Sequence, residues 1–533
     1  MTLTSMRERS VIILSSLVSG ARVGGGLTAA ALERDGFRTE LVPTVIMGRH
    51  PGQGTPGGGP VAAQMLTTTL AAMADQGRVE AASAILTGYF RDPDQVEAAA
   101  VFLAEAKRRH PQLTVMVDPI LGDGSGDGSE DGSGAGGRLY IPEETAAAIR
   151  DRLIPLADII TPNLFELSWL TGRSLSGDTA IAEAARALAP AALVTSARDT
   201  KTRIGALVVT QSHIWRVSAD RIDPAPNGTG DLFAATALSR HLTGALWPEA
   251  AHGAAARVWL ALDAARRAGR DELILPHSTA HAHASPPEAH IRRTPVGDIQ
   301  PVWVTGVDGA PGGWATVSVD LYGVEPPRAK VFDRFEDILA TKAQIIAVDM
   351  PIGFEDTPSA SGGRPCEREA RALLGPRRSS VFSSPLRAAL STTSYQGAMA
   401  ANRAEGGPGL SKQAWNLFPK LREVDAVMSA DLEGVVFESH PELIFAAISG
   451  APAIHPKRTP EGRAERLALL LAHGLPRELF EPHPFGRKTC APDDLIDAGL
   501  CALTARRIAA GVCLQLPQTP PRDGRGLRMA IFA

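Results

Sequence analysis

The chain has 533 residues, 44% of them hydrophobic and 21% charged, with a formal net charge of −4. That length exceeds one ordinary core and requires at least two domains of a soluble globular protein, while the charge supplies no basic footprint for nucleic acid. Four cysteines, Cys366, Cys490, Cys501 and Cys513, all lie in the C-terminal part without a CxxC pair, which fits a reduced, cytoplasmic protein.

In chain order, Arg7 and Arg9 precede the short apolar run "SVIILSS", an arrangement that imitates a leader peptide but reads better as a first strand, since glycine follows at once. No segment reaches the roughly 18 uninterrupted apolar residues that a membrane span needs, so no membrane partner is expected. Further strands are predicted at "RTELVPTVI", "SAILTGYF", "LTVMVDPIL", "DIITPN", "AALVTSA" and "IGALVVTQ". Ala-rich helical stretches such as "PVAAQMLTTTLAAMADQG", "DPDQVEAAAVFLAEAKRRH" and "DTAIAEAARALAP" alternate with them. The alternation predicts a layered α/β domain with a parallel sheet over residues 8–275.

Two stretches interrupt it. "GDGSGDGSEDGSGAGG", residues 122–137, is too poor in apolar groups to offset its ordering entropy and reads as a solvated insertion; its spaced acids lack the twelfth-position Glu of a calcium loop. Residues 276–301, rich in Pro, His and Ala, read as a linker, with metal binding by His277, His281, His283 and His290 as the alternative. A second α/β domain follows over residues 302–520, opening on the hairpin "VWVTGVDGAPGGWATVSVDL" and ending on the helical "DDLIDAGLCALTARRIAAG".

The chemistry gathers at strand ends. "APNGTGDLFAA" sets Gly228, Thr229 and Gly230 before an apolar run, a glycine turn at a helix start that suits a phosphate. Asp231 beside it either caps the helix or takes a proton from a nucleophile attacking that phosphate. Asp118 and Asp123 in "DPILGD", and Asn163 and Glu166 in "ITPNLFE", end other strands; such oxygen ligands suit Mg²⁺ shared with nucleotide phosphates, although each is also a common turn or cap residue.

Together, "DPILGD", "LYIPEE", "IPLADIITPNLFELSWLTG", "LVTSA" and "GTGDLFAA", in this order, resemble pyridoxal kinase of the ribokinase-like superfamily over about residues 10–270. The resemblance implies a three-layer α/β/α fold and ATP-dependent phosphorylation of the 5′-hydroxymethyl group of pyridoxal, pyridoxine or pyridoxamine. It implies Asp231 as base, the turn Gly228–Gly230 as anion hole, and Asp118, Asn163 and Glu166 near metal and phosphates. Ser15 and His50 would recognise the substrate, and the chain would form a homodimer. The substrate loop departs from the family: it reads "VIMGRHPGQGTPGG", keeping His50 and Gly52, and the turn after the first strand reads "GARVGGG". A kinase for hydroxymethylpyrimidine or another small hydroxymethyl compound is therefore the alternative.

In the second domain, Asp308 in "GVDGAPGGW", Asp349 in "AVDMPIG", Glu438 and Glu442 in "FESHPE", and Asp493, Asp494 and Asp497 in "DDLIDA" are candidate ligands of two divalent cations, or else turn and cap residues. Arg377 and Arg378 in "RRSSVFSSP" sit beside hydroxyls and could grip phosphate. The pattern resembles an uncharacterised bacterial family with a ribonuclease H-like fold, which implies a metal-dependent nuclease and confines any nucleic-acid partner to this half. A third reading makes that half the active one, with the first a vitamer sensor.

Overall fold

A computed structural model of the protein describes residues 9–124, 137–197, 199–275, 290–359 and 363–533. The chain divides into two units, the first ending at Ile299 and the second starting at Gln300. His277, His281 and His283, and most of the Gly/Ser/Asp stretch, lie outside the described residues.

The strands of the first unit are β1 (Ser10–Val18), β2 (Arg38–Met47), β3 (Gly58–Pro60), β4 (Ala82–Thr87), β5 (Thr114–Val117), β6 (Gly122–Gly124), β7 (Gly137–Leu139), β8 (Ile159–Ile160), β9 (Ala191–Val194), β10 (Arg203–Thr210), β11 (Ile214–Asp220) and β12 (Ile291–Pro295). Ten of them form one sheet in the order β12-β11-β10-β9-β8-β5-β4-β1-β2-β3. The run that imitates a leader is β1, buried along nearly its whole length because parallel strands are covered on both faces. Its neighbours β2 and β4 are parallel to it, as are the pairs β4/β5, β5/β8 and β8/β9.

The sheet ends differently from the predicted parallel array. Strands β10, β11 and β12 run antiparallel at one edge and β3 at the other. β12 falls in the stretch read as linker: Ile291 is buried, and Ile291–Pro295 pair in register with Ala219–Trp215. The insertion at 122–137 also has structure at its ends, where β6 and β7 form an antiparallel pair.

Local signals explain the helices. Pro93–Arg109 starts at Asp92, whose side chain accepts from Gln95 N at 3.0 Å, has Pro at its first position and ends on Lys107, Arg108 and Arg109, matching the helix dipole. Leu164–Thr171 starts with a reciprocal Asn163/Glu166 capping box and stops at left-handed Gly172. Thr229–Leu242 starts within "GTG", with Gly228 at its N-cap, and is buried along most of its length. Among the described residues no helix is long and apolar enough to cross a membrane.

The second unit has a five-stranded sheet of β13 (Trp303–Ala310), β14 (Gly313–Asp320), β15 (Arg328–Phe332), β16 (Ile345–Val348) and β17 (Val436–Glu438), in the order β15-β14-β13-β16-β17. The predicted hairpin is β13/β14; β16 and β17 continue in parallel. The helix Pro492–Ala509 is buried over most of its turns rather than amphipathic. It lies so close to β13 that a Cβ on Gly306 would overlap Ala498 O and Ala502 N. The unit runs past residue 520 to the chain end, where β18 (Gln515–Leu516) pairs with β19 (Ile531–Phe532). All four cysteines are free.

Arg364 and Glu438 form a bidentate pair in this core, with Nη1 to Oε2 at 2.8 Å and Nη2 to Oε1 at 2.6 Å, and Arg364 Nε also reaches Glu367. Removing the guanidinium leaves the buried Glu438 without a counter-charge, while Glu367 keeps Arg371. Arg364→Met is expected to lower stability by about 3–5 kcal/mol, read from urea unfolding of the full chain; a loss below about 1 kcal/mol would show that the pair is not a structural clamp.

Candidate functional site

The carboxyl ends of the adjacent parallel strands β5, β8 and β9 deliver Asp118, Asn163 and Thr195 side by side, with Asn163 bridged to Thr195. The turn before helix Thr229–Leu242 faces the same space. Asp118, Asp123, Asn163, Glu166, Gly228, Thr229, Gly230 and Asp231 all line one pocket of about 380 Å³. Eight predicted residues from three chain segments are thus brought together.

Gly228 takes φ +95°, and a Cβ there would lie 2.6 Å from Arg22 O, so both conformation and space demand glycine. The helix that follows has no intrahelical partner for its first N–H groups, an arrangement that suits an anion. Asp231 does not cap that helix by its side chain. Its Oδ2 instead accepts the N–H of Gly24 at 2.8 Å, from the altered turn after β1. Burial pushes the Asp231 carboxyl up to about 6, and the Gly24 N–H partly opposes the rise.

Asn163 and Glu166 are chiefly builders. Glu166 N donates to Asn163 Oδ1 and Asn163 N to Glu166 Oε2, both at 2.8 Å, while Glu166 Oε1 accepts Leu121 N at 2.7 Å. Asn163 Nδ2 donates to Gly122 O at 2.8 Å, so the pair ties the "DPILGD" loop to the next strand end. Burial pushes the Glu166 carboxyl up to about 7 against those N–H bonds. Asp118 is 8% exposed and is raised well above the carboxylate range, first by burial and then by the charges of Glu166 and Asp231. Asp123 stands at the exposed rim, its Oδ1 accepting Gly124 N.

Ser15 and His50 do not line the pocket. Ser15 is buried behind it, with Oγ accepting Tyr89 N at 3.3 Å. His50 Nδ1 accepts Gly52 N and lies 3.3 Å from Asn227 Nδ2, so the substrate loop touches the phosphate turn one residue before Gly228. Sequence reading missed Gly24, Asn227 and the far wall, where Val217, Ala219, Ile222, Val258, Trp259 and Leu262 are apolar. His290, read as a linker or metal-binding residue, stacks on Trp259 with ring centroids 4.4 Å apart and pairs through Nδ1 with Asp220 Oδ2 at 2.7 Å.

In the second unit one oxygen from each of Asp308, Asp349 and Asp497 lies within 4.8 Å of the others. Burial raises all three carboxyls. Glu438 does not join them, being held by Arg364 and by Ile352 N, and Glu442 is held by Arg466. Asp494 Oδ2 accepts Ala491 N at the helix start. Arg377 donates to the carbonyls of Ala453 and Ile454 and is engaged in the fold. Lys457, which the sequence reading did not single out, pairs with Asp497.

The phosphomethylpyrimidine kinase family matches residues 53–275, and a family described only as a protein of unknown function (DUF429) matches residues 306–522. The pyridoxine/pyridoxal/pyridoxamine kinase of Bordetella avium is 34% identical over 275 residues, 50% of this chain and 88% of that protein. A pyridoxal kinase of Rubrobacter xylanophilus is 30% identical over 292 residues, 53% of this chain and 97% of that protein. A solved structure of the Leishmania donovani pyridoxal kinase with ADP and pyridoxine is 24% identical, covers 54% of this chain and 100% of its own, and has a TM-score of 0.48. Identity of this extent, across nearly the whole of a single-domain relative and with the five ordered motifs on one pocket, makes the N-terminal half of the chain a member of the pyridoxal kinase family, joined to a DUF429 domain.

Proposed function

We propose that the first unit transfers the γ-phosphoryl group of ATP to the 5′-hydroxymethyl group of pyridoxal, pyridoxine or pyridoxamine. The observation that carries this is Asp231: a carboxylate with depressed acidity, in one pocket with a glycine turn and a buried acid. Its oxygen accepts the hydroxyl proton while the alcohol oxygen bonds to phosphorus and the bond to the β-phosphate oxygen breaks, releasing ADP. The helix-start N–H groups at Thr229 and Gly230 oppose the charge that develops on the transferred group.

The residues fit Mg²⁺. Asp118 is buried amid like charges, and a hard cation with mostly water ligands relieves that repulsion. Both Glu166 oxygens are taken by backbone N–H groups, which leaves Asp118 as the carboxylate to hold the ion, with Asp123 at the rim. When bound, the ion neutralises phosphate oxygens. The apolar wall ending in Trp259 suits the nucleotide base, and His290 acts through Trp259 as a positioning residue. A homodimer across the β2/β3 edge, near which Ile46 and Met65 are exposed, belongs to the same reading.

The altered substrate loop and the match to the phosphomethylpyrimidine kinase family favour hydroxymethylpyrimidine as a second acceptor. A coupled assay for ADP with the three vitamers and hydroxymethylpyrimidine decides between them; turnover with none of the four would overturn the reading.

Asp231→Asn is expected to slow turnover by about 10²- to 10⁴-fold with ATP affinity nearly unchanged, measured by the same assay and by nucleotide titration. Because the base acts ionised and burial raises its carboxyl to about 6, kcat/KM should fall as pH drops below about 6. The low-pH limb should vanish from the residual activity of Asp231→Asn, and a limb that persists assigns the titration to another group. His290→Ala should raise KM for ATP about 2- to 10-fold with kcat unchanged, the range of a lost aromatic stack. An equal fall in kcat at saturating ATP would place His290 in the general stability of the fold instead.

A further inference from the structure

Apart from the structural ion pairs of the second unit, three carboxylates and one ammonium stand together. Asp308 ends up beside Asp349 because β13 and β16 are neighbours, and Asp497 joins them because Gly306 lets the helix Pro492–Ala509 approach β13. Asp497 is 0% exposed, and its Oδ1 has no hydrogen-bond partner among the described residues. Asp308 Oδ1 accepts Gly309 N at 2.7 Å, and no side-chain hydrogen bond reaches Asp349 among the described residues. Such a group of like charges is unfavourable unless positive charge is brought to it.

Lys457 brings one unit. Its Nζ pairs with Asp497 Oδ2. Its loop is pinned before the lysine by the N–H groups of Ile454 and His455 on Glu465 and by Arg466 Nη1 on His455 O, and after it by Arg463 Nη1 on Arg458 O. The ammonium is therefore placed by the fold rather than by chance. Lys420, the other nearby cation, is engaged by Gly313 O and lies over the Trp314 ring. With all three ionised, three carboxylates and one ammonium leave two negative charges, which one divalent cation would balance.

We propose that Asp308, Asp349 and Asp497 bind a single Mg²⁺ or Mn²⁺, and that the Lys457 ammonium occupies the place a second cation would take. The all-oxygen donor set selects a hard ion over zinc. Two positive centres side by side suit an anionic oxygen ligand, a phosphate ester above all. This departs from the two-cation set expected from sequence, since Glu438 is held by Arg364, Asp494 caps the helix start outside the cluster of three, and lysine fills the gap.

The test is Mn²⁺ titration of the full chain, followed by the electron paramagnetic resonance of the free ion, for the natural protein, Asp308→Asn, Asp349→Asn and Lys457→Met. Subtraction removes Mn²⁺ bound by the first unit, and two Asp variants keep the test alive if one fails to fold. The natural protein should bind one ion more than either Asp variant, and Lys457→Met should bind that ion at least ~10-fold more tightly or take up one further ion. Equal counts in the natural protein and a folded Asp variant overturn the cation site. Two ions lost on Asp substitution, or unchanged binding in Lys457→Met, overturn the role of the lysine while leaving the cation site standing.

Discussion

The first unit depends on one contact, between the carboxylate of Asp231 and the N–H of Gly24, 207 residues apart in sequence. An acid at the end of a buried helix start would be neutral if burial acted alone, and useless as a base. An acid in water would be fully ionised but too weak a base to help an alcohol attack. The single N–H from the turn after β1 offsets part of the burial and leaves the group near 6. That turn can serve because β1 is a central strand with its carboxyl end on the pocket side, so the whole parallel array stands behind one hydrogen bond.

Both units separate structural from reactive acids by the same rule. Glu166 and Glu438 look equally catalytic in their motifs, yet each has both oxygens satisfied, one by three backbone N–H groups and the other by a guanidinium and an N–H. Acids so satisfied hold loops in place. Asp118 and Asp349 have few partners and face like charges, which makes them the groups an incoming cation would relieve.

The legible part of the sequence was that with strong period or glycine punctuation. Parallel strands such as β1 and β4 are continuous apolar runs, and "GTGD" announces a helix start at an anion turn. The antiparallel edge was harder, because an edge strand buries little: in Ile291–Pro295 only Ile291 is inside, so Arg and Pro make it look like linker. Lys457 and His50 were opaque or half-read for a different reason. Each lies in a loop with no period of its own, and its partner, Asp497 or Asn227, is far along the chain. Contact between loops is fixed by the completed sheet and leaves no trace in local pattern.

The edge strand also changes where the kinase fold ends. The family-model match ends at residue 275, but His290 backs Trp259 in the pocket's aromatic wall, and Asp220 is shared between it and Arg203. Arg203 Nη2 further donates to the His290 carbonyl. These contacts bind residues 290–295 to the strand that carries Val217 and Ala219 on the pocket face, so the segment supports the pocket wall and is not a spacer. A unit cut at the end of the family-model match would lose an edge strand and the support of its pocket indole; the physical boundary of the unit lies after Ile299.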